Sequence, residues 1–254
     1  GGSILYLLLA GLDMGTAAEQ LLNGLYTGFI LLAIPLFILA AEFMNAGSIT
    51  DRLLRFCNAI VGRFRGGLAH VNVVQSIIFA GMSGSAIADA AGSGKLMQAM
   101  MTADNKYPPA FAAALTAVTA VIGPIIPPSI PIVIYALVSD TSIGYLFLGG
   151  VVPGVLIGLV QMALIAAVAR RRNFPVEPPV PLRNLPHITI QALPALGMPV
   201  VLLGGIYSGV FTPTEAAAVA AAYALLVSAV LYRNMGWGDI YRSLLSSARV
   251  TASI

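Results

Sequence analysis

The chain has 254 residues, of which 58% are hydrophobic and 9% charged, with a formal net charge of +3. Soluble domains carry about 25% charged residues, so this chain cannot solvate itself and reads as an all-α polytopic membrane protein. The pI near 9.2 and mean hydropathy of +0.91 do not indicate nucleic-acid binding, because the basic residues sit in short loops and segment ends.

A crossing helix needs roughly 20 apolar residues. Residues 2–12 read as the tail of one span and 20–46 as a full span containing Pro35. In 49–64, Ile49, Leu53, Leu54, Phe56, Ile60 and Val61 alternate with Asp51, Arg52, Arg55 and Arg63, which predicts an amphipathic helix along the interface. Residues 67–81 and 86–103 are each short for a crossing and are joined by Ser83-Gly84-Ser85, so a re-entrant hairpin over 67–103 is expected. Residues 109–139 cross with a break at Gly123-Pro124-Ile125-Ile126-Pro127-Pro128-Ser129-Ile130-Pro131. Residues 144–169 cross again, 170–187 form a polar loop, and 188–209 and 213–232 are spans joined at Thr212-Pro213. Residues 239–254 begin another helix. No Met or basic n-region opens the chain, so no signal peptide is indicated. Both ends read as cut from a longer protein. Cys57 is the single cysteine, which rules out an internal disulfide.

Charge fixes the expected orientation. If 20–46 runs inward, the inner side receives Arg52, Arg55, Arg63, Arg65, Lys106, Arg170, Arg171, Arg172, Arg183, Arg233 and Arg242. The outer loops receive Asp13, Glu19, Asp140 and Glu215 and no basic residue. This agreement requires 67–103 to return to the side it entered from. The span-then-arm order of 20–64 is expected to recur after 232, with 239–254 opening a second copy.

The two interruptions carry the chemistry. Irregular backbone at membrane depth is tolerated where it is buried in protein or lines a wet cavity. Gly84 lets the chain turn, and each proline of 124–131 frees a carbonyl from a helical bond. Facing sets of hydroxyls and carbonyls are hard ligands for a small cation, and half-helix N-termini favour an anionic group. A structural kink is the alternative for the proline segment alone. Asp89 is costly at such depth and reads as a functional residue, against a plain role of satisfying helix N-terminal amides.

Other features have plainer explanations. Gly150, Gly154 and Gly158 form a helix-packing face. His70 and His187 read as interfacial polar residues. Trp237, Tyr107, Tyr145, Tyr207, Tyr232 and Tyr241 read as an aromatic belt. Glu215 reads as a helix N-terminal charge after a Thr cap. Gly92-Ser93-Gly94-Lys95 fails as a phosphate loop, because Asp89 stands where a Gly is needed and Leu96 where Ser or Thr is needed. Gly81-Met82-Ser83-Gly84 offers an intramembrane serine hydrolase using Ser83 as an alternative reading, but neither histidine is placed as its base. A passive channel is a third reading.

Several long motifs together resemble the large membrane subunit of TRAP (tripartite ATP-independent periplasmic) transporters. They are Leu32-Ala33-Ile34-Pro35-Leu36-Phe37-Ile38-Leu39-Ala40, Gly66-Gly67-Leu68-Ala69-His70-Val71-Asn72, Ser83-Gly84-Ser85-Ala86-Ile87-Ala88-Asp89, the 123–131 break, and Gly204-Gly205-Ile206-Tyr207-Ser208-Gly209-Val210-Phe211-Thr212-Pro213-Thr214-Glu215-Ala216. The resemblance implies an inverted-repeat, elevator-type transporter of the bacterial inner membrane that imports an organic anion, mostly a carboxylate, in symport with Na+. It implies two partners, a small membrane subunit and a periplasmic substrate-binding protein. Carried onto this chain, the sodium site falls on Ser83, Gly84, Ser85, Gly123, Pro127 and Ser129, and substrate contacts fall on Ser83, Asp89 and Ser142.

The same resemblance divides the chain into scaffold (1–48), arm (49–66), transport-domain half (67–140), a span with its cytoplasmic loop (141–187) and incomplete second-repeat scaffold (188–254). The family is longer, with a second hairpin and a second sodium site that this chain lacks. Ala40-Ala41-Glu42 and Tyr135-Ala136 depart from the glycine-containing versions expected there.

Overall fold

The computed structural model describes residues 29–252 apart from 179, together with residues 6, 9–11, 13, 15, 18, 19, 22 and 23. The expected helix tail at 2–12 and the start of the 20–46 span therefore lie largely outside the described residues. The described chain is helical. Four segments are long and apolar enough to cross a membrane: Phe29–Ala46, Ile143–Arg172, Leu185–Tyr207 and Pro213–Leu231.

Helix α1 (Ala33–Ala46) follows a 3-10 turn, Phe29–Leu32, and holds Pro35 in its first turn, where a missing N–H costs no helical bond. It packs on α10 (Pro213–Leu226), whose buried Ala216, Ala217, Ala220, Ala221 and Ala224 let the two backbones approach. Thr214 Oγ1 donates to the Phe29 carbonyl at one end (3.2 Å), and Ser228 Oγ donates to the Phe43 carbonyl at the other (3.1 Å). The two helices are therefore parallel, as the charge pattern requires. A π-helical turn, Val227–Leu231, ends the α10 span.

Helix α2 (Ile49–Val61) buries Ile49, Leu53, Leu54, Cys57 and Val61 and exposes Asp51 and Arg55, confirming its amphipathic character. It packs on both α3 (Gly67–Ser83) and α9 (Leu185–Tyr207).

The hairpin descends through α3, turns at Gly84-Ser85 and returns through α4 (Ala86–Ala91) and α5 (Ser93–Thr102). The returning arm is not the continuous helix expected over 86–103. It breaks at Gly92, where a side chain would overlap the Asn45 amide and the Ala88 carbonyl. Entry and exit lie at one end of the molecule. Gly66 N–H donates to the Pro175 carbonyl (3.1 Å), Lys106 pairs with Glu177 (2.8 Å), and Tyr107 stacks among Phe111 and Phe174. The chain thus re-emerges on the side it entered.

Helices α6 (Pro109–Ala120) and α7 (Ile130–Ser139) flank the break. At 1.5 Å per residue each is about 15–18 Å long, too short to cross alone. Helix α8 (Ile143–Arg172) runs about 45 Å beside them, longer than the expected 144–169. Its arginines extend the last turn, where the macrodipole favours cations, and Asn173 ends it with a positive φ of 51°. The polar loop is correspondingly shorter, because α9 already starts at Leu185. One face of α8 is buried, while Tyr145, Leu148, Val152, Leu156, Leu159, Val160 and Leu164 are exposed as a lipid-facing strip.

Helix α11 (Trp237–Ala252) climbs antiparallel along α1. Ser246 Oγ donates to Glu42 Oε1 (2.9 Å) and Ser247 Oγ to the Pro35 carbonyl (3.3 Å).

Among the sequence-based readings of single residues, two histidines and two tyrosines need comment. His70 is buried rather than interfacial, set edge-on to Phe64, whereas His187 is exposed and bonded to Gln191. Tyr107 and Tyr232 are packed inside rather than forming part of a belt, because each ring has partners to cover it. The Thr212–Glu215 reading holds: the two residues form a reciprocal capping box.

Burial pushes the Cys57 thiol up to about 12, so it stays protonated and shielded. In full-length protein in oriented vesicles, Cys57 is expected to resist maleimides. Asp140→Cys should label with an impermeant reagent from outside, and Arg171→Cys from inside. The opposite labelling of the last two would invert the orientation.

Candidate functional site

The hairpin tip and the break meet. Ile130 N–H donates to the Gly84 carbonyl at 3.3 Å. Gly84 has φ +61°, and any side chain there would overlap the Pro128 carbonyl. A side chain at Gly123 would stand 3.2 Å from the Ala86 nitrogen and the Ser85 carbonyl carbon. Glycine is needed at Gly84 for conformation and backbone approach, while at Gly123 a side chain would crowd the tip by a few tenths of an ångström.

Depth follows from α8. A side chain at Gly150 would overlap the Ile125 carbonyl, one at Gly154 the Ile126 side chain, and one at Gly158 the Ile77 side chain. The glycine stripe is therefore a packing face, as its spacing indicated, and it receives the break and the hairpin. Gly150 and Gly154 lie 7 and 11 residues from the outer start of α8, about 10–17 Å along its axis. The junction is inside the span, not at either surface.

Each interruption is held by a serine. Ser85 Oγ accepts from Ala88 N–H (3.3 Å), and Ser129 Oγ accepts from Ile132 N–H (3.3 Å) while donating to the Pro124 carbonyl (2.5 Å). These are N-cap bonds that satisfy one first-turn amide each in α4 and α7. Gln161 Nε2 on α8 donates to the Val118 carbonyl (3.0 Å), which satisfies part of the open end of α6.

Ser83 differs from the other two. It is fully buried, and its Oγ has no hydrogen-bond partner among the described residues. Nor does any described backbone N–H donate to the carbonyls of Gly123, Ile125, Pro127 or Pro128. A buried unpaired oxygen such as Ser83 Oγ costs free energy unless something satisfies it. The donor set is hard oxygen throughout, which suits a small alkali or alkaline-earth cation and not a soft metal. Among the described residues no group of three His, Cys, Asp or Glu side chains could hold a metal ion.

Of the nine site assignments by role, Ser83, Gly84, Ser85, Gly123, Pro127 and Ser129 come together at this junction. Asp89 lies just behind the tip, buried and bonded by Ser93 Oγ (2.5 Å) across the Gly92 kink. Of the N-terminal amides it was weighed against, that of Ala88 is capped by Ser85, and Asp89 instead joins α4 to the start of α5. Ser142 is exposed before α8, beyond the ten residues of α7, about 15 Å of helix away from Ser129. It is not part of the junction.

Sequence reasoning missed Gln75, Ser76 and Ser93. Gln75 is buried with neither amide atom bonded among the described residues. The available signal was the recurrence of Asn72, Gln75, Ser76 and Ser83 at near-helical spacing in an otherwise apolar arm.

The hydrolase alternative finds no support. Ser83 has no base bonded to it, and His70 lies 13 residues back, about 20 Å along α3.

Comparison with known proteins agrees with this architecture. The family model for the tripartite ATP-independent periplasmic transporter, DctM component, matches residues 1–254. The sialic acid TRAP transporter large permease protein SiaM of Vibrio cholerae is 41% identical over 99% of this chain and 61% of its own length. The C4-dicarboxylate TRAP transporter large permease protein DctM of Pseudomonas aeruginosa is 45% identical over 88% of this chain and 52% of its own. The 2,3-diketo-L-gulonate TRAP transporter large permease protein YiaN of Escherichia coli is 41% identical over 100% of this chain and 59% of its own. The chain belongs to the DctM component family of TRAP transporters, and it spans about half to three fifths of the length of these relatives.

Gly84→Ala should destabilise the full-length protein more than Gly209→Ala. Both glycines have positive φ, and alanine in that region costs about 1–2 kcal/mol, but Gly209 faces open space while Gly84 faces Pro128. Thermal midpoints in detergent would show the difference. Equal shifts would mean that the tip does not press on the break.

Proposed function

We propose that the full-length protein imports an organic carboxylate across the bacterial inner membrane in symport with Na+, receiving it from a periplasmic binding protein and working beside a small membrane subunit. One observation carries this reading: a fully buried Ser83 hydroxyl, without a partner among the described residues, where two membrane interruptions meet. The named substrates of the relatives fit it, since sialic acid, C4-dicarboxylates and 2,3-diketo-L-gulonate are all organic acids.

Four helix ends converge at the junction. The C-termini of α3 and α6 present carbonyls there, and the N-termini of α4 and α7 present amides. Carbonyl ends favour a cation and amide ends an anion. Ser83 Oγ and the open carbonyls of Gly123 and Pro127 are the donors best suited to Na+. Gly84 sets their approach, and Ser85 and Ser129 hold the helix starts around them. Bound there, Na+ would couple uptake to its gradient. A carboxylate approaching from the half-exposed Ser85 and Ala86 side would meet the amide ends.

The elevator reading assigns movement to residues 67–140 against scaffold at 1–48 and 188–254, with 49–66 as the arm. The packing of α2 on both α3 and α9 supports a linking role for it. The antiparallel pairing of α1 with α11 is the orientation that two inverted copies would give.

In proteoliposomes holding the full-length complex and its binding protein, uptake is expected to need an inward Na+ gradient. Ser83→Ala should raise the Na+ concentration for half-maximal uptake by roughly tenfold or more, the scale of a polar contact to a charged group. Uptake that is unchanged when K+ replaces Na+ would refute the coupling.

A further inference from the structure

At the inner side, α2, the first turns of α9 and the chain leaving α10 enclose a polar cavity of about 200 Å³. Ser48, Asp51, Arg52, Arg55, Gln191 and Asn234 line it. We propose that this cavity binds the phosphate of an anionic phospholipid headgroup from the inner leaflet, so that a lipid holds the arm helix α2 against α9.

Arg52 is positioned in advance. Its guanidinium carbon lies 3.9 Å from the centroid of the Tyr232 ring, and Tyr232 OH donates to the Gln191 carbonyl (2.7 Å). Stacking on the ring face leaves the in-plane N–H donors of the guanidinium free for a phosphate. Arg55 stands one helical turn away on the same helix and is exposed. Among the described residues neither arginine has a carboxylate within ion-pair distance, Asp51 included. Two arginines against one aspartate leave the cavity with net positive charge, and Ser48 and Asn234 add neutral donors.

Position argues for a lipid as the source of the phosphate. Gln191 lies six residues into α9, and Asn234 follows the end of the α10 span. Both place the cavity at headgroup level on the basic side of the protein, where cationic pockets between helices meet anionic lipids. The chain continuing from Asn234 borders an apolar cavity of about 600 Å³, lined by residues including Leu225, Leu226, Val230, Met235 and Trp237, where an acyl chain would find cover. The site uses none of the residues at the tip or the break, and it stands whether or not transport is coupled to Na+.

Native mass spectrometry of the full-length protein in neutral detergent tests the proposal, with phosphatidylglycerol, phosphatidylcholine and inorganic phosphate as probes. Phosphatidylglycerol adducts should predominate over phosphatidylcholine. Arg55→Gln, at an exposed position that leaves the Arg52 stack intact, should weaken phosphatidylglycerol binding about fivefold. Asp51→Asn should strengthen it. Equal retention of both lipids, or phosphatidylglycerol binding unmoved by both substitutions, overturns the proposal. Loss of the phosphatidylglycerol preference together with Arg55-dependent binding of inorganic phosphate overturns the lipid assignment and gives the cavity to a soluble phosphate.

Discussion

Hydrocarbon offers no hydrogen bonds, so a chain that stops being helical inside it must satisfy its own backbone. This protein stops twice at that depth, at Gly84-Ser85 and at 121–129, and the two stops are joined by one backbone bond and otherwise capped locally. Gly84 gives its carbonyl to Ile130 N–H, and serines cap the helices that restart on each side. The remaining oxygens, with Ser83 foremost, form the one part of this junction that the protein leaves unsatisfied among its described residues. Everything proposed about ion coupling follows from that imbalance.

Small residues make the junction possible. Gly84 and Gly123 admit backbone at the tip, and the glycine stripe of α8 admits the break from behind. On the other side of the hairpin, the alanines of α10 admit α1. In lipid there is no hydrophobic drive between helices, so close packing of this kind holds them together. The polar cost is met locally, by Gln161 on Val118 and by Tyr223 OH, which donates to the Pro194 carbonyl (2.7 Å).

The inner end is organised differently, by charge and aromatic rings. Lys106 with Glu177, the Tyr107–Phe111–Phe174 cluster and the Arg52–Tyr232 stack anchor the loops that return there. The first two of these close the base of the hairpin, while one backbone bond, Ile130 N–H to the Gly84 carbonyl, joins its tip to the break.

Much of this was legible in the sequence. Composition dictated the membrane, charge bias dictated the return of the hairpin, glycine with serine marked its tip and proline with glycine the second break, because each of these is a local property of residues facing a uniform apolar solvent. The closeness of Asn45, on a different helix, to the kink at Gly92 was not legible. The burial of His70, Tyr107 and Tyr232 depended likewise on partners distant in the chain. The setting of Asp89 is local by contrast: its partner Ser93 stands four residues on, across the Gly92 kink. Tertiary structure also decided that the tip touches the break and that Ser142 does not join them, because residues some forty positions apart meet only after the helices between them have packed.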